Sequence, residues 1–407
     1  VPSQLPLLIE NREFRQTEEL GLPRWEAGFW SIPGLYETLR WNPQMEERFR
    51  RGLIEAHRQR MESGWQVLYP GRARGILPSG AELMGLLESG WNQLGQPALM
   101  KARWTLHTTT DSAMQDYGTE PRFLMWLEPW TDPAPDHACL DPGVVLWDSP
   151  VIRETGDGRW MTKRTGWPLS AETKLIGESN DAQWWEKLAL LKSLDPRGHI
   201  DASGSGLVEW NQDGQVCETT WGSLAAVRLP QAEAAEAVGL DEGAEESGSA
   251  GLTRWKISDE SHGSVRSTLT AKAAGAAGIL WYPPVNIPRL PSVTLGRLGG
   301  FLRAQGWQEK VVPFDLSELT DPDKSWHLVV VSSLRGVVPV SSWWTIPLSI
   351  EEQNALSCTS RWSRYRFPTD TSSLTPDSTQ QAFDGWLKDI RAILSQGCTW
   401  DTHIQTR

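Results

Sequence analysis

The sequence predicts an α/β (α+β) protein built in two halves. Three observations carry this. Strand-like and helix-like stretches interleave on both sides of a proline- and acid-rich connector at 130–142. The stretch 207–229, LVEWNQDGQVCETTWGSLAAVRL, reads as a hairpin, because an Asp-Gly pair (Asp213-Gly214) separates two apolar, alternating runs. WHLVVVSS at 326–333 is apolar enough for a buried strand. A length of 407 residues favours two or three domains. The expected division is a small N-terminal α/β domain at 1–140, a larger C-terminal domain at 141–345, and an extension at 346–407.

Taken in order, residues 1–24 are punctuated by Pro2, Pro6 and Pro23 and read as irregular. LYETLRW at 35–41 suits a strand. Residues 45–65 have helical spacing, with Phe49, Leu53, Ile54 or His57, and Met61 on one side. A second helix is expected at 81–94 and strands at 102–109 and 122–127, the latter ended by Glu128-Pro129. The second half opens with a strand at 143–147 and a helix at 181–193. An acidic insertion follows the hairpin at about 231–260. Its first part, 231–251, holds six acids and no Lys or Arg, which suits a solvated segment. A strand at 278–281 then leads through prolines into a helix that Ser292 or Thr294 would cap. A strand-like run continues at 335–340, and 379–394 forms an amphipathic helix.

Composition excludes several classes. The net charge of −12 argues against a nucleic-acid partner, since phosphate binding wants a basic surface. No apolar run approaches the ~20 residues of a membrane helix. The first residues lack the pattern of a secretory leader, so a cytoplasmic setting is expected. Cys139, Cys217, Cys358 and Cys398 form no CxxC pair, which fits a reducing compartment and gives no metal site. The 24 tryptophans are scattered and read as packing rather than a stacking platform. GxSxG, HExxH, P-loop and GxGxxG patterns are all missing, so serine hydrolase, zinc protease and nucleotide-binding readings have no support.

Glu218 is the lone carboxylate in the uncharged run 216–227. If buried it needs a specific cationic partner, because an unpaired buried carboxylate costs several kcal/mol or is neutralised. Strand alternation alone allows a solvent-facing side chain equally well. Ser292 and Thr294 at a helix start make an anion cradle or a plain cap. His57 and Arg60, three apart, share a helix face and can meet one ligand or solvent. Ser332-Ser333-Leu334-Arg335-Gly336 places polar groups where a buried strand ends, a common location of α/β sites and also of simple turns. Lysines before the hairpin are Lys163, Lys174 and Lys187. Lys187 lies on the polar side of its helix, while Lys174, after Trp167-Pro168-Leu169, is freer to point inward.

In this order the segments resemble the fold-type IV, or class IV, pyridoxal-phosphate-dependent aminotransferases and lyases. GLYETLR at 34–40 is similar to the family's GxFETLR strand, and EAHRQRM at 55–61 to its EEHxxRL helix. DGQVCETT at 213–220 is similar to DGxVTEGT, and PP…LPSVT at 283–294 to TPPL…LPGVTR. SSLRGVVPV at 332–340 is similar to the NSLRGVVPV of the lyase branch.

The resemblance implies a homodimeric enzyme holding pyridoxal 5'-phosphate and acting on a small-molecule amino substrate. It implies Arg60, Val293 and Thr294 at the phosphate, with Ser332 and Ser333 beside the cofactor, and Glu218 at the pyridine nitrogen. Thr38 and Arg335 are implied on the substrate side. The lysine that carries the cofactor is matched best by Lys174, with Lys163 as runner-up. Motif wording leans toward 4-amino-4-deoxychorismate lyase, which forms 4-aminobenzoate and pyruvate on the way to folate. A branched-chain or D-amino-acid aminotransferase is the alternative. Departures from the family pattern at Gly222-Ser223, Ser292 and Leu295, and above all in the lysine region, together with the acidic insertion, leave a third reading, a non-catalytic binding protein of the same fold.

Overall fold

The computed structural model describes residues 7–10, 12–15, 34–71, 77–108, 121–131, 144–156, 162–165, 205–219, 222–230, 278–345, 363–366 and 378–396. The helix expected at 181–193, the insertion at 231–260 and Lys174 lie outside these residues. Two sheets organise the rest.

The first is six-stranded and antiparallel, in the order β2-β1-β5-β4-β3-β7. Its strands are β1 (Leu7–Glu10), β2 (Glu13–Arg15), β3 (Gly34–Trp41), β4 (Met100–Thr108), β5 (Pro121–Pro129) and β7 (Arg164–Thr165). Two helices, α1 (Glu47–Leu68) and α2 (Gly80–Gln93), pack against it. Their apolar stripes, Leu53, Ile54 and Met61 on α1 and Leu83, Met84 and Leu87 on α2, bury against Leu39, Trp104 and Met125. Helical spacing of apolar residues is what makes this possible. Ser79 and Glu82 close a reciprocal capping box that starts α2.

β1 and β2 correct the expectation of an irregular N-terminus: Leu8 and Ile9 are fully buried on β5. Only four residues pair there, too few for a periodicity to register. β7 was equally invisible at two residues. Although it follows the expected boundary at 140, it completes the first sheet by pairing with Gly34 and Leu35.

The second sheet contains β6 (Val144–Arg153), β8 (Ser205–Asn211), β9 (Val216–Thr219), β10 (Ser223–Arg228), β11 (Ile279–Tyr282), β12 (Gln308–Val311), β13 (His327–Ser332), β14 (Gly336–Thr345) and β15 (Ser363–Arg366). Its path is β12-β11-β10-β13-β14-β6-β8-β9, with β15 on β14. On α3 (Val293–Ala304) and the C-terminal α5 (Ser378–Gln396), Leu298, Phe301, Phe383, Trp386 and Ile390 cover Ala225, Val227, Val329 and Val331. Leu224, Ala226, Leu328 and Val330 bury on the opposite face with Trp281 and Trp326. Both faces of β10 and β13 are therefore dry, which is why their sequences are uninterrupted apolar runs. A short helix, α4 (Leu316–Leu319), precedes β13.

The hairpin at 207–229 forms only in its first half. β8 and β9 pair around the expected turn, where Asn211 Oδ1 accepts the Asp213 and Gln215 amides and Gly214 takes φ 70°. The returning run does not continue to Val227. It breaks after Thr219, and β10 leaves to pair with β11 and β13. Gly222 permits this. A Cβ there would lie 2.8 Å from the Val331 carbonyl oxygen and 2.8 Å from Val330 Cγ1. Gly222→Ala is accordingly expected to lose about 1–3 kcal/mol in urea unfolding through forced overpacking. Gly85→Ala, with nothing within 4 Å of the new Cβ, should be neutral or mildly stabilising in the same assay.

Candidate functional site

The site begins with Glu37, in the middle of β3. Alternation turns Glu37 toward α1 and its neighbours Tyr36 and Thr38 to the other face. On α1, His57 and Arg60 lie one turn apart and both reach Glu37. His57 Nδ1 is 2.8 Å from one carboxylate oxygen, and Arg60 donates through Nε at 2.7 Å and Nη2 at 2.5 Å. Burial alone would raise the Glu37 pKa. The Arg60 charge and the hydrogen bonds from Arg60 and His57 outweigh it and hold the carboxyl well below the usual range. Burial depresses the His57 pKa, so the ring is neutral near pH 7 and donates its Nδ1 proton to Glu37. Its Nε2, left as a bare lone pair, meets no hydrogen-bond donor among the described residues and lies beside the Trp104 ring.

Arg60 also links the two sheets. Its Nη1 donates to the Pro291 carbonyl at 2.7 Å, just before Ser292, which caps α3 by accepting the Leu295 amide. Ser292 is thus the cap, and Val293 and Thr294 are the first helical residues, where amides have no intrahelical partner. Thr294 Oγ1 donates to Ser333 Oγ at 3.3 Å, in the loop between β13 and β14. Ser332 Oγ accepts the Arg335 amide and tightens that loop. A guanidinium, a helix start and two hydroxyls so converge from three parts of the chain.

Lys163 immediately precedes β7. Its carbonyl accepts the Tyr36 amide at 2.8 Å, and Nζ lies 4.8 Å above the Tyr36 ring. Burial lowers the lysine pKa; Glu37 opposes this, while Arg60 and Arg103 add to it, and the result is about 8. Burial likewise pushes Tyr36 up to about 12. Arg103 stands opposite Thr38 in the β3–β4 ladder, so the two share the face of Tyr36. Glu218 also lies in the field of Lys163.

Glu218 has the cationic partner its position required. Arg153 Nη1 donates to Oε1 at 2.6 Å, and the Leu290 amide reaches the same oxygen at 3.0 Å. Arg60, Val293, Thr294, Ser332, Ser333 and Arg335 are thus grouped at the start of α3 and the β13–β14 loop. Glu218 is tied to the approach to α3 through the Leu290 amide, and Thr38 lies on β3 opposite Arg103. Lys174 is not among the described residues; Lys163 lies in the field of Glu37, Arg60, Arg103 and Glu218. Glu37, Arg103 and Arg153 were not singled out from sequence. Glu37 carried the signal that marked Glu218, a single acid inside an apolar strand. Arg153, at the end of β6, gave no signal.

Solved structures share this arrangement of sheets. A hypothetical aminotransferase from Mycobacterium tuberculosis in its apo form superposes with a TM-score of 0.54 at 13% identity, covering 96% of this chain and 99% of that one. Its α-ketoglutarate- and PMP-bound form gives 0.53 at 14% identity over the same shares. The Escherichia coli branched-chain amino acid aminotransferase gives 0.50 at 11%, covering 84% and 86%. The fold is that of the fold-type IV aminotransferases. By sequence, no family model and no curated protein matches the chain significantly. Among the described residues no helix is long and apolar enough to cross a membrane, and no cluster of His, Cys, Asp or Glu could hold a metal ion.

The Glu37 knot has a testable pH signature. Glu37→Gln leaves a buried Arg60 without its counter-charge and is expected to cost about 3–5 kcal/mol at pH 7. The wild-type advantage is complete above pH 4.5, the ordinary value, and is lost as pH falls toward the depressed folded value. Urea midpoints of the two proteins should therefore draw steadily closer as pH falls below about 4.5. A constant gap would remove Glu37 ionisation as the source.

Proposed function

We propose that this chain is a pyridoxal-phosphate-dependent enzyme of the fold-type IV class acting on the amino group of a small substrate. The observation that carries the reading is the lysine of lowered pKa, Lys163, held in one field with Arg60, Glu37 and Glu218. The donor set suits the cofactor. Arg60, the Val293 and Thr294 amides and the Thr294 and Ser333 hydroxyls provide charge-assisted and neutral donors for a phosphate. Glu218 provides an acceptor for a protonated ring nitrogen. Lys163 provides the amine nucleophile.

Pyridoxal phosphate, when bound, supplies an electron-accepting ring that stabilises negative charge developing on the substrate. The chain does the rest. Glu37 and His57 fix the angle of Arg60. Arg153 and the Leu290 amide fix Glu218. A Lys163 pKa near 8 keeps the amine able both to take and to return a proton close to neutral pH, which is where general acid–base transfer is most effective. Arg103 and Thr38, on the same face as Tyr36, offer a cation and a hydroxyl to a substrate carboxylate.

Within this class the SSLRGVVPV motif favours 4-amino-4-deoxychorismate lyase. The aminotransferases among the structural neighbours favour transfer to a keto acid as the second reading. Protein reconstituted with pyridoxal phosphate should show an absorbance band near the visible edge that borohydride bleaches. Lys163→Ala should abolish the band and Lys174→Ala should retain it; the reverse result returns the role to Lys174. A wild-type protein that acquires no band would leave only the non-catalytic reading. Pyruvate release from aminodeoxychorismate without an added keto acid then selects the lyase over the aminotransferase.

A further inference from the structure

β8 and β9 set two acids face to face. Glu209 and Glu218 are directly paired positions of the antiparallel ladder, and both are buried, 3% and 7% exposed. Like charges at facing positions repel, and burial makes the repulsion expensive. One guanidinium sits between them. Arg153, itself buried, gives Nη1 to Glu218 Oε1 and to the Pro288 carbonyl, and gives Nη2 to the Glu209 carboxylate.

The same molecule shows what an undivided pair looks like. Arg60 places Nε and Nη2 on the two oxygens of Glu37, a closed bidentate contact. Arg153 makes no such contact with Glu218, because Glu209 holds its second arm. Both hydrogen bonds to Glu218 fall on Oε1, and among the described residues no donor meets Oε2. Two carboxylates against one guanidinium leave the trio one formal negative charge. Arg60, Lys163 and Arg289 also act on Glu218, so the Glu209 charge offsets part of a cationic surround.

We propose that Glu209 is a positioning residue for the cofactor ring, an inference that rests on the pyridoxal-phosphate reading above. By dividing Arg153 it keeps Glu218 from closing into a neutral pair. The residual charge then stays on Oε2, where a protonated ring nitrogen is recognised. Glu209 does not itself touch the ring.

The test compares two cofactors on the apo form of the full chain: pyridoxal phosphate, and the analogue with a ring C–H in place of the nitrogen. Glu209→Gln keeps an oxygen for Arg153 and removes only the charge. It should weaken pyridoxal phosphate by roughly tenfold or more, the effect of a one-unit change in ring-nitrogen pKa. Binding of the analogue should be unchanged. Adding Arg153→Gln to Glu209→Gln removes the charge that Glu209 offsets and should restore part of the preference for the nitrogen-bearing ring. Equal losses for both cofactors, or no loss for either, would overturn the proposal, because a purely structural Glu209 cannot discriminate between them. A wild-type chain that binds neither compound would instead overturn the cofactor reading, and this inference with it.

Discussion

Glu37 is the constraint on which the arrangement depends. A fully buried carboxylate in the middle of a sheet strand has to be paired, and the only economical geometry is the one that pulls Arg60 inward from α1. Once Arg60 is fixed on two oxygens, its remaining arm points at the Pro291 carbonyl and ties the first sheet to the start of α3. The helix start, the Thr294–Ser333 contact and the loop between β13 and β14 take their places relative to that arm. His57 supports the same carboxylate from within the core without adding a charge there.

Electrostatics in the site follow from uneven pairing. Arg60 is neutralised in a closed contact, whereas Arg153 is divided between two acids. Lys163 lies between these systems, and its depressed pKa reflects burial first and the surrounding guanidinium groups second. The register of β7, a strand of two residues, on β3 sets where the preceding Lys163 stands.

Much of the fold was legible before the structure. α1, α2, α3 and α5 and the longer strands of both sheets announce themselves by periodicity, because each buries one stripe or two full faces. Five short strands did not: β1, β2, β7, β12 and β15 carry two to four residues, too few for a pattern, whereas β9 and β11 of the same length were marked by the Asp-Gly turn and by an apolar run. The hairpin at 207–229 was read as longer than it is. Its apolar run is continuous, and only the contact of Gly222 with Val331 shows that the chain switches partners. Pairing of Glu218 was legible as a need, but Arg153 was not legible as the answer, being 65 residues away on a strand end.

The sequence by itself determined the ordered motifs, the acids placed inside apolar strands and the two-sided burial of β10 and β13. These are local properties, decided by residue type and spacing of two or 3.6. Only the tertiary structure decided where Lys163 stands beside Tyr36, and how each arginine divides its hydrogen bonds. Those outcomes depend on strand register and on contacts between segments up to 231 residues apart, such as Arg60 with Pro291. No periodicity within a segment encodes distances of that kind.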